Sequence, residues 1–201
     1  ALWAEFERGD VDYFFPSDFK RRGWCISPDG THLVHRVEDQ SLEVFNLTES
    51  RFEASLDVIK WERRFGHHQV SHTFISNDRL LYRTNDGFAV WNVRYDRNEP
   101  NKIPEDLIAF QGASSDGRLL AMERENEEAG IVLWDFDAEK AVSALSGMDH
   151  GYHRIVFSPD SKLAIATGWD KRGLVWNTAT GAVQHVLTGH KQGIHAAAFA
   201  H

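Results

Sequence analysis

A short pattern recurs four times in this 201-residue chain, and self-similarity at a fixed period obliges the chain to fold as one structural unit repeated. Leu42-Glu43-Val44-Phe45-Asn46, Phe88-Ala89-Val90-Trp91-Asn92, Ile131-Val132-Leu133-Trp134-Asp135 and Gly173-Leu174-Val175-Trp176-Asn177 each set a short apolar run before an aromatic and then Asn or Asp. The aromatics stand 46, 43 and 42 residues apart. Upstream of each lies a turn: Ser27-Pro28-Asp29-Gly30, Ser76-Asn77-Asp78-Arg79, Ser115-Asp116-Gly117 and Ser158-Pro159-Asp160-Ser161. Pro fixes φ at the second turn position, Asp bonds its own backbone and Gly tolerates unusual dihedrals, so each cluster reads as a hairpin turn.

Between turn and aromatic come strand-length runs: Thr31-His32-Leu33-Val34, Leu80-Leu81-Tyr82-Arg83, Leu119-Leu120-Ala121-Met122 and Leu163-Ala164-Ile165-Ala166. Another apolar run follows each aromatic, clearest in Ala182-Val183-Gln184-His185-Val186-Leu187. Each unit thus holds about four strands, and a four-stranded unit at this period predicts an all-β propeller of antiparallel blades. The units fall at about 21–62, 63–105, 106–146 and 147–188, with 189–201 starting the next blade. Residues 1–20, with Trp3, Phe6, Tyr13, Phe14, Phe15 and Phe19, are expected to complete or cover a neighbouring blade. Ser55 to Phe65 fits either a helix or a strand followed by a loop.

Composition removes several function classes. No apolar run is long enough to span a bilayer, and 42% apolar residues are ordinary for a folded chain. Thirty acidic against 22 basic residues give a net charge of −8, which repels a phosphate backbone and argues against nucleic acid as partner. Cys25 is the only cysteine, so neither an internal disulfide nor a multi-cysteine zinc site is available, and a cytoplasmic location is expected. The chain begins with Ala and shows no leader-like stretch, as an internal piece of something longer would.

The chain resembles the WD-repeat β-propeller family. The most specific text is Phe157-Ser158-Pro159-Asp160, then Gly168-Trp169-Asp170-Lys171, Leu174-Val175-Trp176-Asn177 and Leu187-Thr188-Gly189-His190, followed by Ile194, Ala197 and Phe199. The resemblance covers roughly residues 22 to 201. Family members usually close seven blades, so about four and a half imply part of a larger ring. The resemblance also implies a buried, hydrogen-bonded structural tetrad of His, Ser or Thr, Asp and Trp in each blade. By position the candidates are His67, Thr84, Asp86 and Trp91 in the second unit, Trp134 in the third, Thr167, Asp170 and Trp176 in the fourth, and His190 for the next. The departures are a Phe for Trp at Phe45, Met148 where the fourth unit should carry its His, and Asn in place of Asp after Trp91 and Trp176. The third unit has the acidic run Glu123-Arg124-Glu125-Asn126-Glu127-Glu128 where the turn Asp belongs.

Little in the sequence points to chemistry. Gly112-Ala113-Ser114-Ser115-Asp116-Gly117-Arg118 has the glycine spacing of a phosphate loop, but Arg118 and Leu119 replace the Lys and Ser/Thr, and the segment falls on a hairpin turn. His67, His68 and His72, or His150 and His153, are metal-ligand types, yet on strands and loops this spacing does not converge on one centre. No catalytic residue, metal or cofactor is expected. Cys25 reads as a buried structural thiol, and Asn46-Leu47-Thr48 is a sequon of use only in a secreted protein.

Surface recognition remains. In the family the resemblance names, partners dock on the face built from the loops entering each blade and the turns between second and third strands. Here those present Trp61, Arg63, Arg64, Arg124, Tyr152, Trp169 and Lys171, with aromatics and Arg among the types that dominate binding hot spots. Trp169 is the best single candidate, because a tight turn before Asp170 leaves it exposed. The expectation is a non-catalytic platform for a protein or peptide partner, with no membrane, nucleic acid or small-molecule substrate. The alternatives are a regulatory or sensor propeller of a larger NTPase or kinase, and a TolB-like or peptidase-associated propeller.

Overall fold

The computed structural model describes residues 24–37, 41–57, 72–84, 87–100, 102–125, 130–148 and 152–200. Among them four sheets of four strands form, each around one of the repeated turns. The first sheet holds β1 (Trp24–Ile26), β2 (His32–Val37), β3 (Ser41–Asn46) and β4 (Arg51–Asp57), and the second β5 (His72–Phe74), β6 (Arg79–Thr84), β7 (Gly87–Asn92) and β8 (Arg97–Glu99). The third holds β9 (Leu107–Ala113), β10 (Leu119–Arg124), β11 (Ile131–Asp135) and β12 (Lys140–Leu145), and the fourth β13 (Tyr152–Phe157), β14 (Leu163–Gly168), β15 (Gly173–Asn177) and β16 (Val183–Leu187). Strands lie in chain order and every neighbouring pair is antiparallel. No helix occurs among the described residues, and β4 runs through Ser55 to Asp57, so the helical alternative for Ser55 to Phe65 fails where it is described.

Three of the four turns between first and second strands are built alike. The Ser27 hydroxyl donates to Asp29 Oδ1 at 2.6 Å, while Ser27 Oγ accepts the His32 amide at 2.9 Å and Asp29 accepts the Thr31 amide at 3.1 Å. Ser114 and Asp116 repeat this with Leu119 and Arg118, and Ser158 and Asp160 with Leu163 and Lys162. In the third sheet the clasping serine is therefore Ser114, not the adjacent Ser115 that the spacing selects, because the aspartate acts from two residues on. The second turn is one residue shorter: the Ile75 amide meets the Arg79 carbonyl, and the Arg79 amide is taken by the Ser76 hydroxyl at 3.1 Å.

The Asn or Asp after each aromatic governs the hairpin between third and fourth strands. Asn46 Oδ1 accepts the amides of Thr48 and Glu49, Asn92 that of Tyr95, Asp135 that of Ala138, and Asn177 those of Ala179 and Thr180. A side-chain oxygen bonding two or three residues ahead makes an Asx turn, which either residue supplies. The exchange of Asn for Asp is therefore neutral in this role. Both hairpins of each sheet are joined at this edge by one further bond: Leu47 N to Thr31 O, Val93 N to Asp78 O, Phe136 N to Arg118 O and Thr178 N to Lys162 O, at 2.7 to 3.0 Å.

Alternate side chains of each sheet face the next sheet, and three apolar seams result. Val34, Leu42 and Val44 of the first sheet meet Phe74, Leu80, Tyr82 and Trp91 of the second. Leu81, Phe88 and Val90 meet Leu120, Met122, Val132 and Trp134 of the third. Ala121, Leu133 and Leu145 meet Ile155, Ala164, Leu174 and Trp176 of the fourth. The glycines of the phosphate-loop-like segment serve these seams: a Cβ on Gly112 would lie 2.2 Å from the Ile155 carbonyl oxygen, and one on Gly117, at φ +70°, 1.8 Å from that of Ile75.

Residues 189–200, the described part of the stretch 189–201 expected to start the next blade, carry no strand. The segment runs instead beside the end of β14, where the Ile194 amide donates to the Gly168 carbonyl at 2.9 Å.

Candidate partner-binding face

At the sheet end opposite the clasped turns, the β14–β15 connection Trp169-Asp170-Lys171-Arg172 makes a tight turn with Lys171 at φ 59°. The Asp170 carboxylate is buried and its Oδ2 takes a bond from Arg172 Nη2 at 3.1 Å, so the turn is tied from inside. Trp169, just before it, is left 58% exposed. The segment after β16 reaches the same ring: a Cβ on Gly193 would come within 3.2 Å of the indole, and the His195 ring meets it edge to face at 5.7 Å. Lys171 in the turn and His190, Lys191 and His195 in the segment after β16 are exposed.

The charge of the last stretch of the chain differs from the rest; three of its four cations, Lys171, Arg172 and Lys191, belong to the Trp169 turn and the segment after β16, and Lys162 to the clasped turn at the other end. Residues 161–201 carry four Lys or Arg against the single acid Asp170, in a chain of net charge −8. The other 160 residues therefore carry −11. The participation of Lys191 and His195 lay outside the sequence expectation; this asymmetry along the chain is the signal that points to them.

Of the other face candidates, Arg124 is half-buried and its Nε is held by Asp106 Oδ2 at 2.9 Å, so its charge is engaged within the third sheet's own entry loop. Tyr152 opens β13 and pairs with Gly168 through its backbone; its side chain lies outside the described atoms. Trp61, Arg63 and Arg64 lie outside the described residues. The structure brings together Trp169 and Lys171.

The repeat tryptophans are all buried, but their indole N–H groups meet different surroundings. Trp91 Nε1 donates to Asp96 Oδ1 at 3.2 Å, Trp176 Nε1 donates to the Ser146 carbonyl at 3.0 Å, and the Trp134 N–H has no acceptor among the described residues. Met148, in the place of a histidine, is buried in the apolar seam with Trp176. The Thr84 hydroxyl donates to the Gly87 carbonyl at 3.3 Å, Thr167 is buried beside the Asp170 turn, and His190 is exposed. His67 and Asp86 lie outside the described residues.

Among the histidines weighed as metal ligands, His72 sits in the seam between the first and second sheets. Burial, with the charges of Arg36 and His35 nearby, pushes its pKa down to about 4, so it is neutral at pH 7. His67, His68 and His150 are outside the described residues, as is the side chain of His153, and no trio of His, Cys, Asp or Glu able to hold a metal occurs among those described. Cys25 is half-buried against the same seam. No helix among the described residues is long and apolar enough to cross a membrane.

No protein-family model matches the chain. Protein tipD of Dictyostelium discoideum is 32% identical over 60 residues, which is 30% of this chain and 10% of tipD. The crystal structure of the C-terminal WD40 domain of Sif2 superposes on 90% of this chain with a TM-score of 0.62 and 17% identity, and the chain spans 50% of that structure's length. With four four-stranded antiparallel sheets in chain order and that superposition, this chain has the fold of WD-repeat propeller blades.

Proposed function

We propose that this chain is a non-catalytic interaction scaffold that holds a protein or peptide partner on the face carrying Trp169 and Lys171. The observation that carries the reading is Trp169 itself, a large aromatic 58% exposed on a turn fixed from beneath by Asp170 and Arg172. An exposed tryptophan on a rigid mount loses little entropy on binding and gains much apolar burial, which makes it a hot-spot residue. Trp61, Arg63, Arg64, Arg124 and Tyr152 extend the same face by their positions in the repeat. No cofactor, metal or small-molecule substrate enters this reading, and the cytoplasm is the compartment it assigns.

A photo-crosslinking amino acid placed at the exposed Gln192, beside Gly193, tests it against one at Tyr95, which is 62% exposed in the β7–β8 hairpin at the other end of its sheet. Cross-linking in cells to a discrete partner from 192 and not from 95 is the expected result. Equal labelling from both positions removes the assignment of the face.

A further inference from the structure

We infer that the partner surface accepted at Trp169 is an acidic peptide segment bearing an apolar or aromatic side chain. This rests on the reading of Trp169 as part of a partner-binding face and adds the chemistry of what binds there. The indole supplies the apolar half of the site, since its ring is more than half exposed and flanked on one edge by His195. The cations supply the other half. Lys171 stands two residues after Trp169 in the same turn. Lys191 is two residues before Gly193, where an added Cβ would come within 3.2 Å of the indole, so its Cα lies within about 7 Å of Gly193 by the reach of the chain. A lysine stem covers that distance with its ammonium still in water.

The local balance selects the sign of the partner. Asp170 is the single acid in residues 161–201, and it is buried against Arg172, so no acid of this stretch offers an exposed carboxylate beside the tryptophan. An incoming carboxylate therefore meets Lys171 and Lys191 with Arg172 behind them, whereas within this stretch a basic peptide meets only like charge. A nucleic acid is also anionic, but a long phosphate backbone would run from this small cationic patch onto surface belonging to residues that carry −11 in total. A short acidic segment stays on the patch. The attraction works over about 8 Å at physiological salt, the span of a few residues of peptide.

The test uses the 201-residue chain and a fluorescein-labelled 12-residue Glu-rich peptide with one central Phe, followed by anisotropy at low and high salt. Three comparators carry the same label: the peptide with Lys for every Glu, the peptide with Gln for every Glu, and a 12-nucleotide single-stranded RNA. The expected order is acidic over neutral over basic, with RNA weaker than the acidic peptide, and with acidic binding falling as salt rises. Trp169→Ala should weaken the acidic peptide by at least about tenfold. Lys171→Glu combined with Lys191→Glu should weaken it about tenfold while leaving the neutral peptide unchanged. Circular dichroism melting curves confirm that each variant is folded, and the lysine reversals, on exposed side chains, keep the test valid even where Trp169→Ala loosens residues 193–195. Neutral and acidic peptides binding alike, both lost in Trp169→Ala and both indifferent to the lysine reversals, would overturn the acidic class and leave the partner-binding face standing. RNA binding more tightly than the acidic peptide would overturn the acidic class as well. Absence of any binding that depends on Trp169 would overturn both.

Discussion

Trp169 and Trp176 stand seven residues apart on either side of one tight turn, and the sheet treats them oppositely. Trp176 is completely buried in the seam between the third and fourth sheets, with its N–H on the Ser146 carbonyl. Trp169 has more than half of its surface in water. The residue type is the same and the strand environment adjacent, so the difference is one of position in the repeat. Trp176 occupies the recurring aromatic site shared with Phe45, Trp91 and Trp134, while Trp169 occupies a turn position that the other units do not fill with tryptophan.

The contrast extends to the two ends of each sheet. At the end holding the first and third turns, sequence and geometry recur together: serine and aspartate clasp one turn, Asn or Asp caps the other, and a backbone bond joins the two. Its polar groups are largely spent on the fold. At the opposite end the connections differ in length and residue type from unit to unit, and the β14–β15 turn presents an exposed aromatic and an exposed lysine. A repeat protein is held together by what recurs and recognises through what varies.

Truncating the two tryptophans is the most direct way to break this division. Trp176→Ala should destabilise the chain by about 3–5 kcal/mol, the cost of a large cavity in a packed seam. Trp169→Ala should move stability by no more than about 0.5 kcal/mol, as for an exposed side chain. Urea denaturation of both variants measures the difference, and similar losses would show that the two ends share the load.

The seams can be probed by acid as well. His72 is held neutral in the folded chain with a pKa of about 4, against an ordinary value near 6.5 once unfolded. Below about pH 6.5 the unfolded chain binds a proton that the folded chain refuses, so this contribution is complete above that pH and is lost as pH falls towards 4. The expected slope is about 1.4 kcal/mol per pH unit across that window. His72→Gln should flatten the slope in a urea titration series, and an unchanged slope would place the acid sensitivity elsewhere.

The fold was legible because its signals are local and repeated. Asp29, Asp160 and the Asn or Asp after each aromatic act on amides within two or three residues, so their geometry is contained in the text around them. The site was legible only in part. Trp169 stands out because Asp170 follows it in a tight turn, but Gly193, Ile194 and His195 reach it from more than twenty residues away, through a segment expected to be a strand. The hydrogen bond of Trp176 was hidden for the same reason: it crosses to Ser146, thirty residues back, and no pattern near Trp176 announces that partner.

Within the clasped end, the two kinds of turn should differ in what one substitution costs. Ser158 is buried, donates to Asp160 and accepts the Leu163 amide, so Ser158→Ala leaves an amide without its partner and should cost about 1–2 kcal/mol. Ser76, in the shorter second turn and less buried, should cost less on the same change. Equal losses, read from urea midpoints, would mean that the serine clasp adds nothing beyond a single turn bond.

The smallest expected effect is the most discriminating about why the repeat tolerates two residues after its aromatic. Asn177 acts through Oδ1 alone, which takes the amides of Ala179 and Thr180 at 3.0 and 3.1 Å, and an aspartate offers the same oxygen at the same distance from the backbone. Asn177→Asp should therefore change stability by less than about 0.5 kcal/mol, whereas Asn177→Ala, which removes the acceptor from both amides, should cost about 1 kcal/mol. Neither change should alter binding at Trp169, since Asn177 lies at the other end of β15. A large loss for Asn177→Asp would show that the amide nitrogen of this side chain has a role of its own. A loss of affinity in either variant would show that the two ends of the sheet are coupled, and that the division between what recurs and what recognises is not as clean as the two tryptophans make it.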